Sequence, residues 1–226
     1  GENGYQSRMN GDWVSGPETL TSEELGSNRC DFDKDLYEND LVTTEYFQSR
    51  NPDWDKVEVP MLTSSNWGGQ GLHPRGNFEA YTQAASKNKW LEVHGKEHWT
   101  EFYTDYGINI QKLFFAHFLK NEDNGWDKRP RVQLQVRHPG EKFVERFEQD
   151  WPLPSTNWSK FYLNYENMTL DETAPSNSQT ISYDPMGDGV TLTTKPLEEE
   201  MEVTGPMAAK LYVSSESVDA DLFLVV

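Results

Sequence analysis

Apolar positions in the first half of the chain recur at helical spacing between short β-branched runs, and in the second half they alternate. "KVEVPMLTSS" (56–65) is β-branched and apolar and is broken by "NWGGQG". "NFEAYTQAAS" (77–86) puts Phe78, Tyr81 and Ala85 along one face of a helix. In "KWLEVHG" the run Trp90, Leu91, Val93 closes at Gly95, as a core strand does on entering a loop. "DYGINIQKLFFAHFLK" then sets Ile110, Leu113, Phe114, His117 and Phe118 at helical spacing. Residues 56–120 thus read strand, loop, helix, strand, loop, helix, which predicts a parallel sheet with crossover helices. Upstream, residues 1–19 read as a polar loop. "TSEEL" (21–25) spaces Thr21 and Glu24 as a capping box. Residues 34–50 carry a weaker helical pattern that "NPD" stops.

Past the linker-like "NEDNGWDKRP" (121–130) the period changes. "RVQLQVR" alternates strictly, and "KFVERFE", "KFYLNY", "QTISYD", "VTLTT", "MEVTGP", "AAKLYVSS" and "DLFLVV" follow between turn-forming residues. Many short strands with turn signals predict an antiparallel sandwich or barrel. The expected fold class is therefore α/β plus all-β, divided near residue 128, with only antiparallel β-structure in 129–226. Two parallel strands are too few for a doubly wound sheet, and "DLFLVV" is an apolar strand without a following turn. Both features predict a segment of a longer protein, or a chain completed by a partner chain; whether it forms a homo-oligomer stays open.

Charge narrows the partners. Acidic residues outnumber basic ones 38 to 20, for a net −18, a field that repels nucleic acid and anionic membrane surfaces. Neither is an expected partner. No apolar run approaches the ~20 residues that span a bilayer. A single cysteine, Cys30, rules out an internal disulfide and a cysteine-based zinc site, and its acidic neighbours disfavour the thiolate. Asn157-Trp-Ser and Asn167-Met-Thr are glycosylation sequons, a triplet that also arises by chance.

The chemistry centres on "HGKEH" (94–98). Helical H-E-x-x-H binds zinc, but here a glycine follows the first histidine, a strand precedes it and no third ligand stands nearby, so no metal or cofactor is expected. His94, at the strand's end, should pack against sheet neighbours; His117 falls on a helix face and His138 in a turn. His98 lies just beyond the strand's carboxyl end, where open α/β sheets place their chemistry. It is the candidate general base, with a structural histidine as the alternative. No G-x-S-x-G elbow, phosphate-cradling loop or dinucleotide fingerprint occurs in the 226 residues.

The stretch "VPMLTSSNWGGQGLHPRGNFEAY…KWLEVHGKEHWTEFYTDYG…FFAHFLK…GW…PRVQLQVR" resembles the cocaine esterase / X-Pro dipeptidyl-peptidase family of serine hydrolases. The continuation "DWPLPSTNWSKFYL…ISYDP…LEEEMEVTGPMAAKLYVSS…DADLFLVV" resembles its C-terminal jelly-roll β-sandwich. The resemblance implies the C-terminal portion of an α/β-hydrolase domain over residues 1–128, with 1–50 as cap or linker, then a truncated jelly roll over 129–226. It implies Ser-His-Asp acyl transfer on small ester, amide or peptide substrates, with His98 matching the catalytic histidine. The acid should follow Trp67, but Gly69 stands there and no other Asp lies between 56 and 104; Glu97 and Glu101 are the substitutes at hand. The serine is expected upstream of residue 1. Two other readings remain: a non-catalytic relative that has lost its triad, and a carbohydrate-type binding module over 129–226. The last would want an aromatic platform, for which Trp151 and Trp158 are the candidates.

Overall fold

The computed structural model describes residues 21–28, 31–39, 43–69, 73–217 and 220–226, and for several helical residues, His98 among them, the backbone alone. The polar stretch 1–19 and Cys30 lie outside the described residues. The chain divides into two units, Gly1–Asp53 and Trp54–Val226.

Among its described residues the first unit carries three short helices: α1 (Ser22–Asn28), α2 (Phe32–Glu38) and α3 (Glu45–Gln48). The capping box forms as the sequence predicts. Thr21 N–H donates to the Glu24 carboxylate at 2.9 Å, and Glu24 N–H donates back to the Thr21 hydroxyl at 3.2 Å. These donors hold the Glu24 carboxyl below the usual range, the backbone N–H of Thr21 contributing most. The helical pattern expected over 34–50 breaks into α2 and α3. Asp31 caps α2 by accepting from Lys34 N–H, and Asn39 ends it.

The second unit is built on β1 (Met61–Asn66), α4 (Pro74–Gln83), β2 (Lys89–His94), α5 (His98–Phe102), α6 (Asp105–Lys120), β3 (Val132–His138) and β4 (Lys142–Glu148). One mixed sheet runs in the order β1-β2-β3-β4; β1–β2 and β2–β3 are parallel and β3–β4 is an antiparallel hairpin. Central β2 is covered on both faces, so Trp90 to His94 are all buried. On one face Leu91, Val93, Val132 and Leu134 pack with Tyr81 of α4 and with Trp151 and Leu153, which return from beyond β4. On the other, Trp90 meets Ile110 and Phe114 of α6 and the fully buried Trp126. The Trp90, Phe114 and Trp126 rings cross edge-on at 5.3–6.5 Å between centroids, pairs worth about 0.5–1.5 kcal/mol each beyond the area they bury.

Three expectations change here. Ala84 rather than Ala85 is buried beneath α4, because the helix ends at Gln83 and its face turns with it. β3 was expected to be purely antiparallel, yet its first residues pair parallel with β2, Leu91 with Val132 and Val93 with Leu134. Strict alternation identifies a strand and its faces, not its neighbour; the open edge of β2 takes β3 because Val132 and Leu134 complete the α4-side core. Finally, beyond β4 only β5 (Tyr162–Asn164) and β6 (Thr169–Asp171) pair, with one isolated bridge from Thr169 to Thr193. The runs from "QTISYD" to "DLFLVV" form no further strands among the described residues. An alternating sequence needs a hydrogen-bonded neighbour and a facing layer, and Phe223, Leu224 and Val225 face solvent instead.

The tightest packing lies between α5 and α6. A Cβ at Gly107 would come within 2.2 Å of the Glu101 carbonyl oxygen and 2.7 Å of that of Phe102. Both obstacles are backbone, so neither yields by a rotamer change. Gly107→Ala should destabilise the chain by about 1–3 kcal/mol, the usual cost of overpacking, read as a lower urea midpoint.

Candidate functional site

β1 and β2 run parallel, so their carboxyl ends open on the same side, with Asn66 in register with His94. The turn after β1 presses on the loop after β2: a Cβ at Gly68 would stand 3.0 Å from the Lys96 carbonyl oxygen and 3.1 Å from the Glu97 nitrogen. A cleft opens there, lined by Trp67, Gly68, Gly95, Lys96, Glu97 and Arg137. Trp67 is anchored by its indole N–H on the Gln135 carbonyl at 2.7 Å, and Gly95 N–H donates to the Gln135 side chain at 2.9 Å. Arg137 is paired with Glu141.

His98 is the first residue of α5, directly after Glu97, which occupies the N-cap position without a side-chain cap bond. The side chain of His98 lies outside the described residues. Its backbone follows directly on Glu97, whose nitrogen takes part in the Gly68 contact. Glu101 lies three residues on in the same helix, a spacing that puts the two positions on one face. Position 69 holds no acid, and its space is taken: a Cβ there would meet Asn66 Oδ1 at 2.7 Å. Asn66 is buried and its Oδ1 has no hydrogen-bond partner among the described residues.

A second cluster was not foreseen. Glu92, 3% exposed on the central strand, collects donors from β1, from α6 and from its own strand. The Ser64 hydroxyl reaches it from β1, Tyr106 O–H from α6 at 3.2 Å, and His94 Nδ1 from its own strand at 3.1 Å. An ionised carboxylate only accepts, so the His94 tautomer that matches it carries the proton on Nδ1; among the described residues Nε2 is buried and unpartnered. Burial, then the charge of Glu92, pushes the Tyr106 phenol up. Burial and Asp150 likewise push Tyr81 up to about 12. The signal for this cluster was a glutamate inside a strand buried on both faces; its partners come from distant segments and carried no motif. His94 packs within the sheet, as expected. His117, on its helix face, contacts the Glu122 carbonyl, and His138 ends β3 beside the hairpin turn. Among the described residues no three His, Cys, Asp or Glu side chains gather as a metal site. The two tryptophans separate: Trp151 is core, 7% exposed, and Trp158 is 65% exposed.

This arrangement agrees with what the chain is similar to. Residues 124–226 match the X-Pro dipeptidyl-peptidase C-terminal non-catalytic domain. Cocaine esterase of Rhodococcus sp. (strain MB1 Bresler) is 27% identical over 150 residues, covering 50% of this chain and 26% of that protein. Two crystal structures of SACOL2612, a CocE/NonD family hydrolase from Staphylococcus aureus, superpose with a TM-score of 0.61 at 36% identity, covering 64% of this chain and 26% of theirs. These likenesses agree with one another: the chain is similar to cocaine esterase / X-Pro dipeptidyl-peptidase hydrolases, and its matched domain is the C-terminal one. It spans about a quarter of the length of these relatives.

Removing the Glu92 carboxylate strands three donors in the core. Glu92→Ala should cost about 3–5 kcal/mol, as breaking a buried charged pair does, and His94→Ala about 1–3 kcal/mol, both by urea denaturation. A phenol raised in the folded state keeps its proton while the unfolded chain loses it. The stability held by Tyr81 is therefore intact below pH 10 and lost towards about pH 12. Tyr81→Phe should flatten that alkaline loss in a pH series of thermal midpoints.

Proposed function

We propose that this chain is the C-terminal part of a serine hydrolase of acyl or peptidyl bonds, of the X-Pro dipeptidyl-peptidase or esterase type. In this reading residues up to about 128 close an α/β-hydrolase domain, preceded by a cap or linker over 1–50. From about residue 129 the chain contributes to a jelly-roll β-sandwich. The observation that carries the reading is the parallel β1–β2 pair, whose carboxyl ends meet at one cleft with His98 on the first turn after it. The named activities of the relatives support it: an esterase and a hydrolase.

His98 acts as general base. It takes the proton of a serine hydroxyl as the oxygen attacks the acyl carbon, then gives it to the leaving group; water repeats the cycle on the acyl-enzyme. The serine and the oxyanion donors come from outside these residues, which contain no elbow motif. Glu101, one helical turn from His98, is the carboxylate best placed to orient it, since Glu92 is already engaged by three donors. The substrate is a small ester, amide or peptide.

Gly69 favours a second reading, a relative that keeps the fold without the reaction. The two separate by labelling. A protein of the relatives' length that contains this chain should react with a fluorophosphonate and residues 1–226 alone should not; absence of label on the longer protein would establish the non-catalytic reading. In that longer enzyme His98→Ala should lower kcat by about 10³-fold or more with little change in folding. Glu101→Ala should lower kcat less, and His94→Ala should act through stability. Gly69→Asp, once the Asn66 amide swings aside, should rescue the Glu101→Ala enzyme by restoring an acid at the family's position.

A further inference from the structure

We infer that Asn157 and Asn167 are acceptors for N-linked oligosaccharide, a modification independent of the hydrolase reading. Both stand in complete sequons, Asn157-Trp158-Ser159 and Asn167-Met168-Thr169, with no proline at the middle position. The structure adds what a triplet cannot show by itself. Both asparagines are exposed, and neither lies in a helix or strand. Asn157 is in the extended stretch that leads to β5. Asn167 sits in the reverse turn of the β5–β6 hairpin, where its N–H is held by Asn164 Oδ1 and Met168 takes a left-handed φ of 56°. A glycan at either position projects into solvent without moving a packed group.

The surface between them supplies a second, independent argument. Trp158 is 65% exposed, Phe161 39% and Tyr162 36%, all between the two asparagines, and Met168, 36% exposed, directly follows the second. Exposed apolar groups in such proximity invite association. A sugar chain on each side screens them, with the exposed Trp158 directly beside the first asparagine. Chemically, the side-chain amide nitrogen displaces the lipid pyrophosphate from the anomeric carbon of a lipid-pyrophosphate-linked oligosaccharide. The carbon–oxygen bond to pyrophosphate breaks, the carbon–nitrogen bond forms, and the amide proton passes to a base of the transferase.

The test is secretion of the full chain from a eukaryotic host behind a signal peptide, with a reporter sequon appended at its C-terminus. Molecules bearing the reporter glycan are collected, so every one has passed the transferase. Release by peptide N-glycosidase in heavy-oxygen water should leave labelled aspartate at 157 and at 167. Asn157→Gln and Asn167→Gln should each remove one glycoform step, and Thr169→Ser should retain the step at Asn167. The glycosylated chain should also bind less of an apolar dye than the double variant. Reporter-positive molecules with unmodified Asn157 and Asn167 would overturn the inference, and modification of one alone would overturn it for the other.

Discussion

A carboxylate placed in the middle of a sheet decides how the second unit holds together. Glu92 is on the central strand, in the layer otherwise filled by Trp90 and α6. A buried charge of that kind persists only when donors replace the water it has lost. The donors come from β1, from β2 itself and from the first turn of α6. Satisfying Glu92 therefore fixes the height of β1 against β2 and the approach of α6 to both. The ends of the strands, and the cleft they share, inherit their geometry from it. The hydrophobic layers supply most of the stabilisation but are less exacting about register, because apolar contacts tolerate sliding that hydrogen bonds do not.

Much of this frame could be read in the residues, for reasons that differ by element. α6 was legible because its apolar stripe is long and periodic, with a capping threonine before it and an asparagine at its end. The Thr21–Glu24 box was legible because it is local. β2 was legible as a run, but the role of its one glutamate was not: Tyr106 lies fourteen residues away and Ser64 twenty-eight, and no spacing rule joins them. The parallel docking of β3 escaped for the same reason, since a strand's own sequence does not name its partner. The alternating runs beyond β6 carry a strand-like pattern, and among the described residues only the Thr169–Thr193 bridge pairs there, since alternation alone does not supply a neighbour.

The site was legible to a similar depth. His98 was proposed from the strand, glycine and loop that precede it, and its backbone begins α5, four residues after β2 ends. The acid was harder. Gly69 announces a gap where the family pattern expects a carboxylate, and the structure shows that Asn66 uses the space. Of the two substitutes the sequence offered, Glu97 is the N-cap of α5 and Glu101 lies within it, three residues after His98.

The contact at Gly107 has a mechanical meaning for this arrangement. With α6 seated directly on the carbonyls of Glu101 and Phe102, the short helix that begins at His98 has no slack relative to the long one. The same long helix carries Ile110 and Phe114 into the aromatic layer with Trp90 and Trp126. Backbone therefore rests on backbone at one end of α6 and ring on ring further along, so no side chain can be introduced at Gly107 without shifting main chain.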